Sequence, residues 1–426
     1  MRREKKKMSK IDELIAQYCP NGVEYKELGE VVILTMGTSP AGNTFSHNSE
    51  DGIEFHQGKT SFGNEIIKHS NIYTTSPIKI AEPNSLIMSV RAPVGATNLT
   101  DRRIAIGRGL CSMIGKNGLM TKFLYYFINN NIQAFKNKSS GSTFEAINTN
   151  EIKHMFIPIP PPPVQQEIVN ILDKFTELEA ELEAELEARR KQYEYYRNQL
   201  LTPVEVDGKW LMNGKEVEWK TLGEVGTFVR GNGLQKKDFT ESGVGCIHYG
   251  QIYTYYGFSA NKTKSFVSHD LATKFRKAKK GDLVIATTSE NMEDVCKTVV
   301  WLGDEEICIS GETYIFKHNQ NPKYLAYHLQ TPMFFDYKKQ NVTGTKVIRL
   351  HGEKLEKYQI PIPPLSEQER IVEILDKFDR LVNDISEGLP AEIEARRKQY
   401  EYYRGKLLLF QPVTAGLTRS PQNNGE

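Results

Sequence analysis

Glu187-Ala-Arg-Arg-Lys-Gln-Tyr-Glu-Tyr-Tyr-Arg197 recurs without a change as Glu394 to Arg404, 207 residues further on. Working outward from this pair, the chain matches itself repeatedly and in the same order. Ile168-Val-Asn-Ile-Leu-Asp-Lys-Phe175 returns as Ile371-Val-Glu-Ile-Leu-Asp-Lys-Phe378, and Ile157-Pro-Ile-Pro-Pro161 as Ile360-Pro-Ile-Pro-Pro364, both 203 residues later. Val23-Glu-Tyr-Lys-Glu-Leu-Gly-Glu-Val31 returns as Val217-Glu-Trp-Lys-Thr-Leu-Gly-Glu-Val225, 194 residues later. Between these anchors the two halves differ. Such a period is far too long for a solenoid, so one domain-plus-helix unit is used twice.

Each unit opens on a short polar-aromatic segment ending Leu-Gly-Glu-Val, which reads as a strand entering a globular domain. Each closes on Ile-Pro-Ile-Pro-Pro, which must be extended because proline fixes φ and disfavours helix in the residue before it. A long helix follows. Ser366-Glu-Gln-Glu369 has capping-box spacing, so Ser366 is the expected N-cap of the second helix; the first has only Pro163 and Gln166 there.

Apolar positions then fall three and four apart, a heptad seam for another helix. The seam comprises Ile171, Phe175, Leu178, Leu182, Tyr193 and Tyr196 in the first helix and Ile374, Phe378, Leu381, Tyr400 and Tyr403 in the second. Three Glu-Leu-Glu-Ala units from Glu177 to Ala188 insert a four-residue stutter. Nine carboxylates against five bases from Pro163 to Leu201 argue against this helix lying on DNA. Gly388-Leu-Pro390 interrupts the second helix, with glycine suited to end one helix and proline to begin the next.

Chain order gives the expected architecture. A helix of about 39 residues reaches about 58 Å at about 1.5 Å per residue. Antiparallel pairing lets the second domain leave and return locally, whereas parallel pairing forces it back along that whole length. The expected fold class is α+β: two globular α/β domains separated by a long antiparallel helix pair, with a pseudo-two-fold internal repeat. The boundaries read as an N-terminal segment 1–22 with its first seven residues disordered, domain 1 at 23–162 and helix 1 at 163–203. Domain 2 then spans 204–365, helix 2 spans 366–410 with its break near 388–390, and 411–426 is a disordered tail.

Two similar heads related by a two-fold match the antiparallel strands of duplex DNA. The helix length corresponds to at most roughly 17 base pairs at about 3.4 Å per step. Divergent interiors imply two different half-sites.

Over 426 residues, 55 Lys and Arg against 53 Asp and Glu leave a net charge of +2, which argues against a general DNA wrapper. Hydrophobic residues at 39% and charged residues at 25% are an ordinary globular mix. No apolar run approaches the about 20 residues of a membrane helix. Cys19, Cys111, Cys246, Cys296 and Cys308 show no C-x-x-C pair, so neither a disulfide framework nor a zinc ribbon is expected, and a reducing cytoplasm is. The basic start MRREKKKMSK lacks a following apolar core, so it is not a signal peptide; Met1 and Met8 both stay open as the natural start.

Leu-Gly-Glu-Val, Ile-Pro-Ile-Pro-Pro followed by Q-E-x-I-V-x-I-L-D-K-F, the Glu-Leu-Glu-Ala run and E-A-R-R-K-Q-Y-E-Y-Y-R together resemble the specificity subunit of type I restriction-modification enzymes. The resemblance runs from about residue 8 to residue 410. It implies two target recognition domains, each reading one half of a split double-stranded DNA sequence, on a helical spacer. It also implies no catalysis by this chain and no bound cofactor. Two modification subunits would methylate adenine with S-adenosylmethionine, and two restriction subunits would use ATP and Mg2+. Fittingly, there is no G-x-x-x-x-G-K-[ST] loop, no H-E-x-x-H and no Asn/Asp-Pro-Pro-aromatic motif. A coiled-coil adaptor with protein-binding heads and a stand-alone DNA-modifying enzyme are the alternatives.

Phosphate contacts use Lys, Arg, Ser, Thr or Asn, and base readout favours Arg, Lys, Asn and Gln. Domain 1 offers Arg91, Arg102, Arg103, Arg108, Lys138, Ser140, Ser142 and Thr143. Domain 2 offers Arg230, Asn232, Lys236, Lys237, Thr343, Thr345, Lys346 and Arg349, with Lys274 to Lys280 nearby. Gly141 and Gly344 sit 203 apart in hydroxyl-rich loops suited to backbone approach to phosphate. His56 and His248 occupy similar places in the two halves and read as structural. Tyr253, Tyr255 and Tyr256 read as packing. Tyr195 and Tyr402 lie off the helix seam yet are identical in both halves, which marks them for docking two identical partner subunits.

Overall fold

The structure is a computed structural model that describes residues 8–92, 94–138 and 146–413, with side chains described except at 133–138. It divides into two compact units, Met1–Leu182 with Ile393–Glu426, and Glu183–Glu392. The α+β class is the observed one.

The dissimilar interiors fold alike. In unit 1, Val32–Met36, Leu110–Gly115, Leu86–Ser89 and Thr97–Leu99 form an antiparallel sheet in that order. In unit 2 the corresponding order is Gly226–Arg230, Thr313–His318, Leu283–Ala286, Lys297–Trp301, with Ser259–Ala260 added at the edge. A second five-stranded sheet in each unit has one parallel pair at the same place. In unit 1 it joins Ile53–His56 to Ile104–Ile106, and in unit 2 Val244–Ile247 to Ile307–Ile309. The shared central strands Leu86–Ser89 and Leu283–Ala286 are buried along their whole length, which is why both read as short apolar runs.

The repeated frames close each head onto itself. Tyr25–Glu27 pairs with Phe156–Pro158, and Glu218–Thr221 with Gln359–Ile362, both antiparallel. Opening and closing anchors are therefore strand partners. The strand expected of each opening segment covers its polar-aromatic part and stops before Leu-Gly-Glu-Val. Leu28–Val31 and Leu222–Val225 each make one helical turn, because the three-residue spacing buries both apolar ends on one side.

The long helices begin at Pro162 and Leu365. Ser366 is therefore inside the helix rather than its N-cap; Pro364 holds that position with no side-chain cap. A buried glutamine in the first turn ties each helix start to the chain around it. Gln165 accepts from Met120 N–H and donates to the Gly118 and Pro160 carbonyls. Gln368 accepts from Asn321 N–H and donates to the Pro363 carbonyl and to Gln320. Prolines supply no N–H, so these carboxamides satisfy backbone groups that the segment cannot satisfy itself.

A second clasp repeats beside it. Tyr126 and Lys122 both bind Asp173 at 2.5 and 2.9 Å, and Tyr327 and Lys323 both bind Asp376 at 2.7 and 2.5 Å. The aspartate is that of the repeated I-L-D-K-F.

Helix packing uses the expected aromatic residues in each unit. Phe175 meets Tyr400 and Tyr403 at ring separations of 6.1 and 5.7 Å in unit 1. Phe378 meets Tyr193 and Tyr196 at 6.3 and 5.5 Å in unit 2. Arg397 extends the first contact by pairing with Glu179, so the helices of that pair run antiparallel. Ile171, Leu182 and Ile374 are half-buried. Leu178 and Leu381, one turn beyond the phenylalanines, depart from the seam and stay 45% and 37% exposed. The ring stacks carry the contact and leave that next turn largely uncovered.

The second helix is two, Leu365–Asn383 and Leu389–Leu407. It stops at Asp384, whose carboxylate accepts from Ser386 and Glu387 N–H, rather than at Gly388. Glycine is needed at 388 for space: a Cβ there would lie 2.4 Å from the Arg380 carbonyl oxygen.

The N-terminal segment contains a helix, Lys10–Tyr18, capped reciprocally by Ser9 and Asp12. The tail is ordered where it begins: Val23 N–H donates to the Gln411 carbonyl, and Val413 N–H to the Val23 carbonyl. Disorder expected at 411–413 is thus corrected, while residues 414–426 and 1–7 lie outside the described residues. All five cysteines are buried and unbonded.

Candidate nucleic-acid interface

Backbone hydrogen bonds align the two heads residue by residue where their sequences cannot. Gly37 N–H donates to Leu110 and Gly231 N–H to Thr313; Val90 N–H donates to Gly109 and Thr287 N–H to Glu312. Ile147 N–H donates to Val90 and Leu350 N–H to Thr287; Gly107 N–H donates to His56 and Ser310 N–H to Ile247. Four chain segments therefore converge at one edge of each head: 37–39, 90–91, 107–109 and 146–147 in unit 1, and 231–233, 287–289, 310–312 and 349–350 in unit 2.

This edge needs close backbone approach. A Cβ on Gly37 would lie 2.1 Å from the Gly107 carbonyl oxygen, and one on Gly231 2.0 Å from that of Ser310. Glycine at both positions draws the turns bearing Arg108 and Glu312 against the first sheet.

Several expected DNA contacts gather here. Arg91 and Arg108 are exposed on the unit 1 edge, and the Arg108 N–H donates to the Ser39 hydroxyl. Arg230 and Arg349 are exposed on the unit 2 edge. Thr343 pairs with Arg349 across a loop that exposes Thr345 and Lys346. Gly344 has φ of +98° and would set a Cβ 2.1 Å from the Val347 carbonyl oxygen, so only glycine turns this loop. Asn232 accepts from Arg276 N–H and donates to the Lys274 carbonyl, tying two loops together. Lys236 and Lys237 are exposed on the next turn of chain. Gly141, Ser140, Ser142 and Thr143 lie outside the described residues, as does the side chain of Lys138.

Two arginines are placed elsewhere. Arg102 and Arg103 precede the Ile104–Ile106 strand, at the end opposite Gly107–Gly109. All five N–H donors of Arg102 are engaged within the head: by both Glu54 oxygens at 2.7 and 2.8 Å, by Asp101, and by the Ile67 and Lys68 carbonyls. It has no donor left for a phosphate, which corrects its reading as a DNA contact. Arg103 is exposed beside Glu82. Glu54 also accepts from Ser70 N–H and sits 2.9 Å from His56 Nε2. Burial pushes the Glu54 carboxyl up, but Arg102, Ser70 and His56 outweigh it and hold the group at about 2.

His56 is buried and, by the backbone alignment, matches Ile247 rather than His248; burial lowers its pKa. His248 instead begins the Tyr249–Thr254 helix, its Nδ1 accepting from Gly250 N–H. The tyrosines do support packing: Tyr253 donates to the Thr288 carbonyl at 2.7 Å and Tyr256 accepts from Lys264 N–H. Tyr255 is exposed, with the Lys264 ammonium 4.5 Å from its ring centre.

Sequence reading missed two residues beside this edge. Lys338 is buried and donates to the Met292, Glu293 and Val295 carbonyls, holding the loop that follows Ser289. Glu312 pairs with both Arg230 and Arg349. A carboxylate two residues after Ser310 carried no motif that set it apart from other acids. No group of His, Cys, Asp and Glu suited to a metal occurs among the described residues. No helix among them is long and apolar enough to cross a membrane.

The family model for the type I restriction modification DNA specificity domain matches twice, over residues 20–188 and 214–395. The chain belongs to that family. Each match contains one head, its frame strands and at least the first part of the helix that leaves it. The type I restriction enzyme EcoR124I/EcoR124II specificity subunit of Escherichia coli is 35% identical over 304 residues, covering 69% of this chain and 72% of the relative. The EcoprrI specificity subunit of Escherichia coli is 28% identical over 337 residues, covering 72% and 74%. In fold, the chain resembles a solved type I restriction-modification chain at a TM-score of 0.64 and 17% identity, covering 91% of this chain and 98% of that one. It also resembles the S subunit from M. genitalium at a TM-score of 0.52 and 16% identity, covering 91% and 96%.

Proposed function

We propose that this chain is the DNA-reading subunit of a type I restriction-modification complex and recognises an asymmetric target in two parts. The observation that carries this reading is the pairing of sameness with difference. Two heads share strand order, frame and converging edge, yet equivalent edge positions carry different chemistry: Arg91 against Thr288, Gly109 against Glu312, Ala146 against Arg349. Like scaffolds with unlike reading groups suit two unlike half-sites.

On this reading the chain has no catalytic residues and holds no cofactor. Two modification subunits bring S-adenosylmethionine and methylate adenine; two restriction subunits bring ATP and Mg2+. Tyr195 and Tyr402, 62% and 63% exposed at equivalent positions, support docking of the modification subunits. Among the described residues, the ring contact of each is an edge-on one with its neighbour, Tyr196 or Tyr403, so neither ring stacks in the helix seam. Tyr195→Ala with Tyr402→Ala is expected to abolish co-purification with the modification subunit at unchanged melting temperature; unaltered complex formation would remove this role.

The gap between half-sites is assigned to the 162–201 helix, which is continuous through the Glu-Leu-Glu-Ala repeats. One added unit lengthens it by about 6 Å at about 1.5 Å per residue. Mapping methylated sites of that variant is expected to return both half-sequences with a gap longer by one or two base pairs. A changed half-sequence with an unchanged gap would refute the assignment.

A further inference from the structure

The unit 2 edge holds a group that phosphate binding does not explain. Glu312 stands in the turn before the Thr313–His318 strand, one third exposed, on the same edge as Arg230 and Arg349. A carboxylate at a surface meeting phosphates is repelled by them. We propose that Glu312 is a specificity-determining acceptor that reads the exocyclic amino group of a cytosine in the half-site of unit 2, with Arg349 or Arg230 donating to guanine beside it. This rests on the DNA-reading function proposed above.

The geometry orients the carboxylate without closing it off. Thr288 donates to Oε2 at 2.5 Å, and the Arg349 Nε lies 3.5 Å from the same oxygen. Among the described residues, the cation nearest Oε1 is an Arg230 nitrogen at 3.8 Å, beyond hydrogen-bond length, which leaves its lone pairs open to a further donor. The Thr288 hydroxyl, with Arg349 and Arg230, holds the carboxyl below the usual range, keeping it ionised at neutral pH against the opposing effect of burial.

The two guanidiniums are 60% and 49% exposed. Arg230 is fixed through Nε to the Gly311 carbonyl at 3.1 Å. They offset the carboxylate's repulsion from phosphate and present donors on either side of it. Donors suit guanine O6 and N7, and a carboxylate suits cytosine N4. A flanked carboxylate therefore fits a G·C-containing step and disfavours thymine, whose O4 is an acceptor. Unit 1 has Gly109 at the matching position, so the device belongs to one half-site only.

The test uses the chain assembled with its methyltransferase partner, as wild type and Glu312→Gln, and maps methylated sites for both. The variant is expected to keep one half-sequence and the gap while losing roughly tenfold or more of its discrimination at a single C·G position in the other half. An identical target for E312Q overturns the proposal. Should E312Q fail to assemble, binding of the wild-type complex to duplexes carrying N4-methylcytosine at each target cytosine in turn decides. Weakening of about tenfold at a position in the unit 2 half supports the proposal; equal binding by every duplex, or a half-sequence without a G·C pair, overturns it. No sequence-specific methylation by the wild-type complex would instead overturn the DNA-reading function itself.

Discussion

Replacing Glu54 by alanine is expected to destabilise unit 1 by about 3–5 kcal/mol, because it leaves the Arg102 guanidinium partly buried without its carboxylate. Glu54 is 8% exposed and Arg102 22% exposed, so water only partly replaces what is lost. His56 and the Ser70 N–H lose their acceptor in the same step. Chemical denaturation of the full chain should show the loss as a lower midpoint; a midpoint equal to wild type would mean the cluster contributes nothing. Replacing both partners, Glu54→Met with Arg102→Met, is expected to cost less than Glu54→Ala alone, since apolar substitutes leave no orphaned charge.

The same cluster sets a pH response. The Glu54 carboxyl lies at about 2 in the fold against an ordinary value of 4.5. A depressed carboxyl contributes its stability in full above about pH 4.5, and that stability is lost as pH falls toward 2. His56, kept neutral by burial, acts in the same direction as acidification charges the unfolded chain first. E54A should therefore show a flatter decline of stability between pH 4.5 and 2 than wild type.

Asp376→Ala is expected to cost about 3 kcal/mol, because one partly buried carboxylate serves two side-chain donors at once. Tyr327 is fully buried, and Asp376 is the acceptor for its hydroxyl; Lys323 supplies the counter-charge. Burial and the nearby carboxylate together push the phenol pKa up, so it remains a donor. A double-mutant cycle with Tyr327→Phe should give a coupling near 1 kcal/mol or above. Strict additivity would show that the hydroxyl and carboxylate act independently. Because this clasp fixes the departing helix to its head, D376A is also expected to weaken discrimination of the gap.

The frames were legible because they are copied almost letter for letter, and copied residues do the same job: Ile-Pro-Ile-Pro-Pro pairs with the opening segment in both units. The errors have local causes. The opening strand ends short of Leu-Gly-Glu-Val, which has too few residues to separate a period of two from one of three; burial of Leu28 with Val31 decides for the turn. Ser366 has the right spacing for a cap, but the helix begins one residue earlier, after Pro364, and has no side-chain cap. Lys122-Phe-Leu-Tyr-Tyr126 and Lys323-Tyr-Leu-Ala-Tyr327 do carry the clasp at a fixed offset of 201, yet only three of five letters agree. Arg102 could not be distinguished from a free surface arginine, since its partner lies 48 residues away and meets it only in the fold. Equivalence of the two reading edges was not legible at all: backbone hydrogen bonds carry it, and those place no demand on side-chain identity.

The central claim is that one duplicated scaffold reads two unlike half-sites. Single-molecule sequencing of DNA from cells expressing the chain with its methyltransferase partner tests it most directly. Methylated adenines are predicted to define one asymmetric two-part sequence with a fixed gap, absent when the chain is absent. Methylation in a contiguous or palindromic sequence would contradict the account.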